Sequence, residues 1–414
     1  MVASTDIKFY VHTNTNAPQL QNAFGCMIDV LDGCLVNGFG SQTVSTLTAS
    51  GTTITATFGT AHNFMMYQVI KIAGANQTEF NGEFRILTVP NSNTITFQLA
   101  ASPSVTTVTG IITCSLPPIG WLKPFSAAGK AAYRSSNISL PSRPYLRVVD
   151  AMDPAYTATY AKFAKVGIVE DMSDIDTMFG TQAPFDSSLP DKNWIGSGSA
   201  NTGINGWAKW HYANFSLLSQ QPQLTSTPAN GNRNWVLVGN KDYFYIFPTS
   251  TIGDTNSYAT YGFGHFKSLL LSDLANVFLS CHPSYAANNA SMGVAVGLTT
   301  YRQANSLLLY KNYLQSSNYA TGSTISLYSS NVTGASNMIG AYSLTAVAPF
   351  GPIYIIEDTN NVLRGEIPNL YWLYQIKPYS NLQQIEKDGV IYMVVNTFGT
   401  GGSQGQLVVK IGDL

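Results

Sequence analysis

The sequence predicts a mainly β protein: a β-rich core domain with an N-terminal helix and an inserted immunoglobulin-like β-sandwich module. Three observations carry that expectation. Apolar and polar residues alternate with period two in several short runs, which marks half-buried strands. Gly, Pro, Asn and Asp recur between those runs, where turns need them. A stretch rich in Thr and Val, from about Ser41 to Leu116, interrupts a chain of different texture.

The first element is "PQLQNAFGCMIDVLDGCLV" (residues 18–36). Leu20, Phe24, Met27, Ile28, Leu31 and Leu35 recur at steps of three and four, so the spacing predicts an amphipathic helix. Gly38 and Gly40 follow, where a helix stops. Cys26 and Cys34 lie eight apart on it, about 12 Å of helical rise, which is beyond disulfide reach. All four cysteines therefore read as reduced, buried thiols.

Next comes the inserted module, with the runs "TTITATF", "YQVIKIAG", "GEFRILTV" and "TITFQLA". Within "EFNGEFRILTVPNSNTITFQL" (79–99) the pattern predicts two strands around the turn Pro90-Asn91-Ser92-Asn93. Phe84, Ile86, Ile95, Phe97 and Leu99 would face inward. The expected division is residues 1–40 as N-terminal segment and helix, 41–116 as module, and 117–414 as the oligomerising core.

In that core, "NWVLVGNKDYFYIFP" (234–248) reads as a hairpin turning at Gly239-Asn240-Lys241-Asp242. "FGPIYIIEDTNNVLRGEIPNLYWL" predicts two strands around Asp358-Thr359-Asn360-Asn361. "GVIYMVVNTFGTGGSQGQLVVKIGDL" predicts a closing pair around a Gly-rich loop. Short helices are expected near 153–164 and 268–280, and 190–214 reads as a loop. No repeat of fixed period argues for a solenoid or propeller.

Charged residues make up 10 % of the 414, against roughly 25 % in ordinary soluble domains. Asn, Ser, Thr, Gln and Gly replace them, and such neutral surfaces can be buried against a partner without stranding a charge. The formal net charge is −1 and the 21 Lys and Arg are scattered, so no nucleic-acid partner is expected. No apolar run approaches 18 residues, so no membrane span is expected. The start, "MVASTDIKFYVHTNTN", carries Asp6 and no apolar stretch, so no signal peptide is expected. The sequons at Asn76, Asn137 and Asn331 accordingly read as fortuitous.

Candidates for chemistry are poor. Gly401-Gly402-Ser403-Gln404-Gly405 matches the nucleophile-elbow pattern, but a strand is expected after it instead of a helix, and no His follows. His12, His62, His211, His265 and His282 form no metal-ligating spacing. Cys281 and His282 are adjacent and would point to opposite faces of a strand. Glu170, Asp171, Asp174 and Asp176 lack the order of a calcium loop and read as a solvated loop. Glu79 and Glu83 read as surface charge. No catalytic residue, cofactor or metal is assigned. Trp194, Trp207 and Trp210, in the loop-like stretch, are the candidates for an interface.

The chain runs from "GCMIDVLDGCLVNGFG" into "AHNFMMYQVIKIAGANQTEFNGEFRI", then "GWLKPFSAAGKAAYR", "PYLRVVDAMD", "NWVLVGNKDYFYIFP" and "VLRGEIPNLYWL". Together, in this order, these stretches resemble a group of structural proteins from tailed-bacteriophage virions. Val149-Asp150-Ala151 departs from the acidic pair expected after "LRV", and no functional residue is carried over. The resemblance implies a non-enzymatic homo-oligomeric ring or sleeve in the tail, neck or baseplate, assembled in the host bacterial cytoplasm. Its partners would be further copies of itself and neighbouring virion proteins, with weak glycan contact through the inserted module. Capsid decoration or host-surface binding is the alternative.

Overall fold

A computed structural model describes residues 3–198, 206–215, 226–283, 297–298, 307–325, 349–374, 377–398 and 404–414. The chain is mainly β, with several sheets and one short helix near the N-terminus. Among the described residues the strands form one sheet of thirteen and two of seven.

The large sheet starts with Lys8–Val11 beside Trp235–Gly239, and ends with Val390–Phe398 and Gln384–Lys387 beyond Gln404–Asp413. The hairpins at 239–242 and 358–361 form as the turn residues predict. Its central strands are buried on both faces. Leu237, Phe244, Ile246 and Phe263 enter one core, while Val236, Val238, Tyr245 and Phe247 enter a second. Two-sided burial explains why these runs are almost continuously apolar instead of alternating.

The N-terminal helix is shorter than its periodicity predicts: α-helix spans Cys26–Leu31 and a π-helical turn spans Asp32–Asn37. Pro18 to Phe24 stay outside it, and Leu20 instead bridges to Arg233. The start is set by a distant group. Asp150, buried, accepts the Met27 N–H at 2.8 Å and the Tyr212 hydroxyl at 2.6 Å. Burial pushes its pKa up to about 6 although those bonds favour the carboxylate. Gly38 ends the helical segment at φ 71°, where a Cβ would meet the Leu116 carbonyl oxygen at 2.6 Å. All four cysteines are free and buried.

One seven-stranded sheet draws all its strands from residues between Phe39 and Leu116. The stretch 79–99 holds three strands and not two: Gly82–Arg85 pairs with Val69–Ala75, while Thr88–Asn91 pairs with Thr94–Gln98. Ile86, Ile95, Phe97 and Leu99 are buried, and Phe84 is partly so. This sheet is clamped to both chain ends. Arg85, 2 % exposed, donates to the carbonyls of Ser4, Ile7, Tyr67 and Ile411 at 2.7–3.0 Å. Lys8 pairs with Glu83 at 2.8 Å, and Gln384 donates to the Met66 carbonyl.

The other seven-stranded sheet runs from Leu122–Ala127 through Tyr145–Val149 and Lys162–Met172 to Ala208–Ala213 and His282–Pro283. It corrects two expectations. Residues 162–172 are strand where a helix was expected to end, and 208–213 are strand inside the expected loop. The reason is tertiary: these strands lay Ala164, Val166, Ile168, Trp210 and Tyr212 on the common core, a period-two burial that a helix cannot supply. The expected helix at 268–280 is likewise absent; Lys267–Ser268 and Val277–Ser280 are strands joined by an irregular loop. The Gly-rich segment 399–403, including Ser403, lies outside the described residues.

Candidate interaction surface

The expected interface tryptophans are placed inside the fold. Trp210 is fully buried, donates its indole N–H to the Ser280 carbonyl at 2.8 Å and stacks on Tyr261. Trp194, 7 % exposed, joins Tyr145, Val149, Val169 and Met172 in a smaller apolar cluster on the face of its sheet turned away from the main core, with the Arg147 guanidinium 4.4 Å from its ring centroid. Trp207 is buried and its backbone N–H is held by the Asn193 side chain at 2.9 Å. Their rings therefore serve intrachain packing first. Among the described residues of this stretch, Ile195, exposed beside Trp194, is the large apolar group offered outward.

The same sheet face gathers basic groups that the spacing of the sequence keeps apart. Lys165 and Lys209 are cross-strand neighbours, and Lys209 is opposite His282. His211 Nε2 lies 3.1 Å from His282 Nδ1, and both rings are fully buried. Burial, then the neighbouring His282 and Lys209, hold the His211 pKa well below the ordinary value. Burial and Lys165 push the Lys209 ammonium down to about 7, while its nitrogen sits 4.7 Å from the Phe163 ring centroid. Asp153 answers Lys165 at 2.9 Å. The adjacent Cys281 and His282 do point apart: Cys281 joins the core. Among the described residues no cluster of three or more metal-ligating side chains forms.

The acidic cluster disperses into separate contacts. Glu170 pairs with Lys311 at 2.8 Å, Asp176 with Lys130 and Arg147, and Asp174 caps the turn at Asp176 and Thr177. Glu79 accepts from Ser104 and Glu83 pairs with Lys8, so they do not face each other as a catalytic pair.

Part of the surface that stands out, residues 269–274, was read in the sequence as helix. Leu269, Leu271 and Leu274 are 54, 108 and 63 % exposed. Leu314 and Leu363 add 68 and 43 %. These five leucines sit on three chain segments that a buried ion triad ties together. Arg364 donates to Glu357 Oε2 at 2.7 Å and to Asp273 Oδ2 at 3.0 Å, and all three side chains are fully buried. Glu357 also accepts the Tyr313 N–H, Asp273 accepts from Ser268, Ala275 and Gln315, and Arg364 donates to the Lys311 carbonyl. Asn360 Nδ2 donates to Glu357 Oε1 at 3.2 Å, so every carboxylate oxygen is answered, while the buried Arg364 Nε–H has no hydrogen-bond partner. The Leu269 N–H completes the tie by donating to the Arg364 carbonyl at 2.9 Å.

Clustered leucines at such exposure are unusual on a monomer and mark association surfaces. Covering them is worth on the order of 5 kcal/mol, from about 1.5–3 kcal/mol per fully buried leucine. The triad fixes the segments that carry this leucine ledge.

No family model matches the sequence, and no curated protein matches it. Among solved structures the chain is similar to one titled Phage phi92 endosialidase, at 10 % identity and a TM-score of 0.16. That match covers 91 % of this chain and 52 % of the other, so the chain spans about half its length. No described helix is long and apolar enough to cross a membrane.

Proposed function

We propose that this chain is a non-enzymatic structural component of a tailed-bacteriophage particle. It forms a homo-oligomeric ring or sleeve in the tail, neck or baseplate through the leucine ledge around Arg364. The ledge is the observation that carries the reading. Its occupant is a second copy of the chain: a net charge of −1 opposes self-association hardly at all. The neutral amide and hydroxyl surface can be desolvated at a rim without leaving charges unpaired. The resemblance to virion proteins supplies the setting. On this reading residues 41–116 are an inserted immunoglobulin-like unit braced against the core by Arg85, with 117–414 making the ring contacts.

The test is sedimentation velocity on purified chain. Wild-type protein should sediment as a discrete oligomer. Leu271→Asp and Leu314→Asp, both at exposed positions, should leave folded monomers. A monomeric wild type, or oligomers unchanged in both variants, would refute the ledge as the contact.

A further inference from the structure

A cleft of about 310 Å³ lies between strand Met178–Ala183 and the turn leading into Ala320–Thr324. Gly180, Thr181, Gln182, Phe185, Ser187 and Asn318 line it together with Ser317 and Tyr319. We propose that it binds one ring of a neutral saccharide, a binding activity separate from the assembly role above.

Three observations carry this. First, the lining holds no charged side chain but combines amides, hydroxyls and two aromatic rings. Amides and hydroxyls exchange hydrogen bonds with sugar hydroxyls, while the C–H face of a pyranose packs on an aromatic ring. Phe185 is 37 % exposed and available for that packing.

Second, one wall carries an unanswered polar atom. Gln182 Oε1 is buried and has no hydrogen-bond partner. A turn of the Gln182 side-chain amide brings this buried oxygen to a ligand hydroxyl and answers it.

Third, the back of the cleft is held rigid and neutral. Glu170 accepts the Thr181 N–H at 2.6 Å and pairs with Lys311 at 2.8 Å. Gly180 sits against that carboxylate at φ +69°, where a Cβ would meet Glu170 Oε2 at 2.5 Å. Thr181 Oγ1 donates to the Ser317 carbonyl at 2.9 Å and ties the two walls. Glu170 is thus matched by Lys311, and no cationic side chain lines the cleft to receive an acidic sugar. Its volume stands at the lower end of small-molecule sites, roughly 300–1,000 Å³, which suits a single ring.

The experiment is saturation-transfer difference NMR on the full chain with methyl glycosides of glucose, galactose, mannose and N-acetylglucosamine, and sialic acid as the acidic control. At least one neutral glycoside should bind with a Kd of about 1 mM, as expected for one ring. Phe185→Ala and Gln182→Leu should each weaken it roughly tenfold without moving the thermal midpoint. Ser187→Trp, at an exposed position, should fill the cleft and abolish binding, so the test survives if either first variant misfolds. Binding of sialic acid alone, binding unaffected by Ser187→Trp, or no binding at about 20 mM of any neutral glycoside would overturn the proposal. The oligomer measured by sedimentation is indifferent to all of these outcomes.

Discussion

Replacing Arg364 by methionine should be among the most damaging single changes in the chain. The guanidinium is buried with no solvent contact and answers Glu357 at 2.7 Å and Asp273 at 3.0 Å, both equally buried. Methionine fills similar volume but leaves two carboxylates facing each other without a cation. Breaking a buried pair by removing one partner costs about 3–5 kcal/mol, a large share of the roughly 5–15 kcal/mol that holds a domain folded. The loss has a pH signature. In the native protein burial raises the Asp273 pKa, but the Ala275 N–H, Arg364 and Ser268 outweigh it and hold it below the ordinary value. Without Arg364 the pair must take up a proton on folding, so the deficit should be large at pH 7.5 and shrink toward pH 5. Urea unfolding followed by tryptophan fluorescence at both pH values measures this. Adding Asp273→Asn and Glu357→Gln should recover part of the loss by removing the uncompensated charges. A deficit below about 1 kcal/mol at pH 7.5 would show that the triad does not anchor these loops. It would also remove the reason for the ledge being held in place.

Arg85→Met should lower stability by about 2–4 kcal/mol, since four carbonyls on three segments lose their charged donor; a melting temperature within error of wild type would refute the clamp. His211 has a lowered folded pKa, so the unfolded chain takes up the proton that the folded chain refuses, and stability should fall as pH drops below the ordinary histidine value of 6.5. His211→Phe should flatten that acid limb in urea titrations, and an unchanged limb would count against it. Lys209 titrates near 7 when folded and 10.5 otherwise, so its contribution should rise with pH across that window, by at most about 1.4 kcal/mol per pH unit. Lys209→Met should remove the rise. Gly180→Val should destabilise the fold by about 2 kcal/mol through strain at positive φ and the clash with Glu170; differential scanning calorimetry reads the shift.

Where neighbours in sequence decide the structure, the sequence was legible. The turns at 239–242 and 358–361 carry their own Gly, Asn and Asp, and the flanking strands form with them. Where partners come from afar it misled. Leu270, Leu274, Val277 and Phe278 have helical spacing, but Ser268 is captured by a strand pairing with Gly365 and Asp273 by Arg364, 91 residues away. Those contacts hold the segment irregular and turn its leucines out. The N-terminal helix begins late for a similar reason: Asp150 holds the Met27 N–H from 123 residues on. The histidines looked isolated because His211 and His282 are 71 residues apart and meet only through sheet pairing. A faint signal was present in the alternation of Trp210 and Tyr212 with Lys209 and His211, which is a strand pattern with a basic face. The cleft beside Gln182 had no local signature, since its walls come from residues 180–187 and 317–319.

The most direct test of the central claim is immunogold labelling of intact tailed-phage particles whose genome encodes this chain, imaged by electron microscopy. Gold confined to the neck, the tail or its tip is the predicted result, and it would name the station of the ring. Unlabelled particles from infected cells that contain the protein would contradict a virion role, and gold scattered over the head would contradict the tail, neck or baseplate assignment.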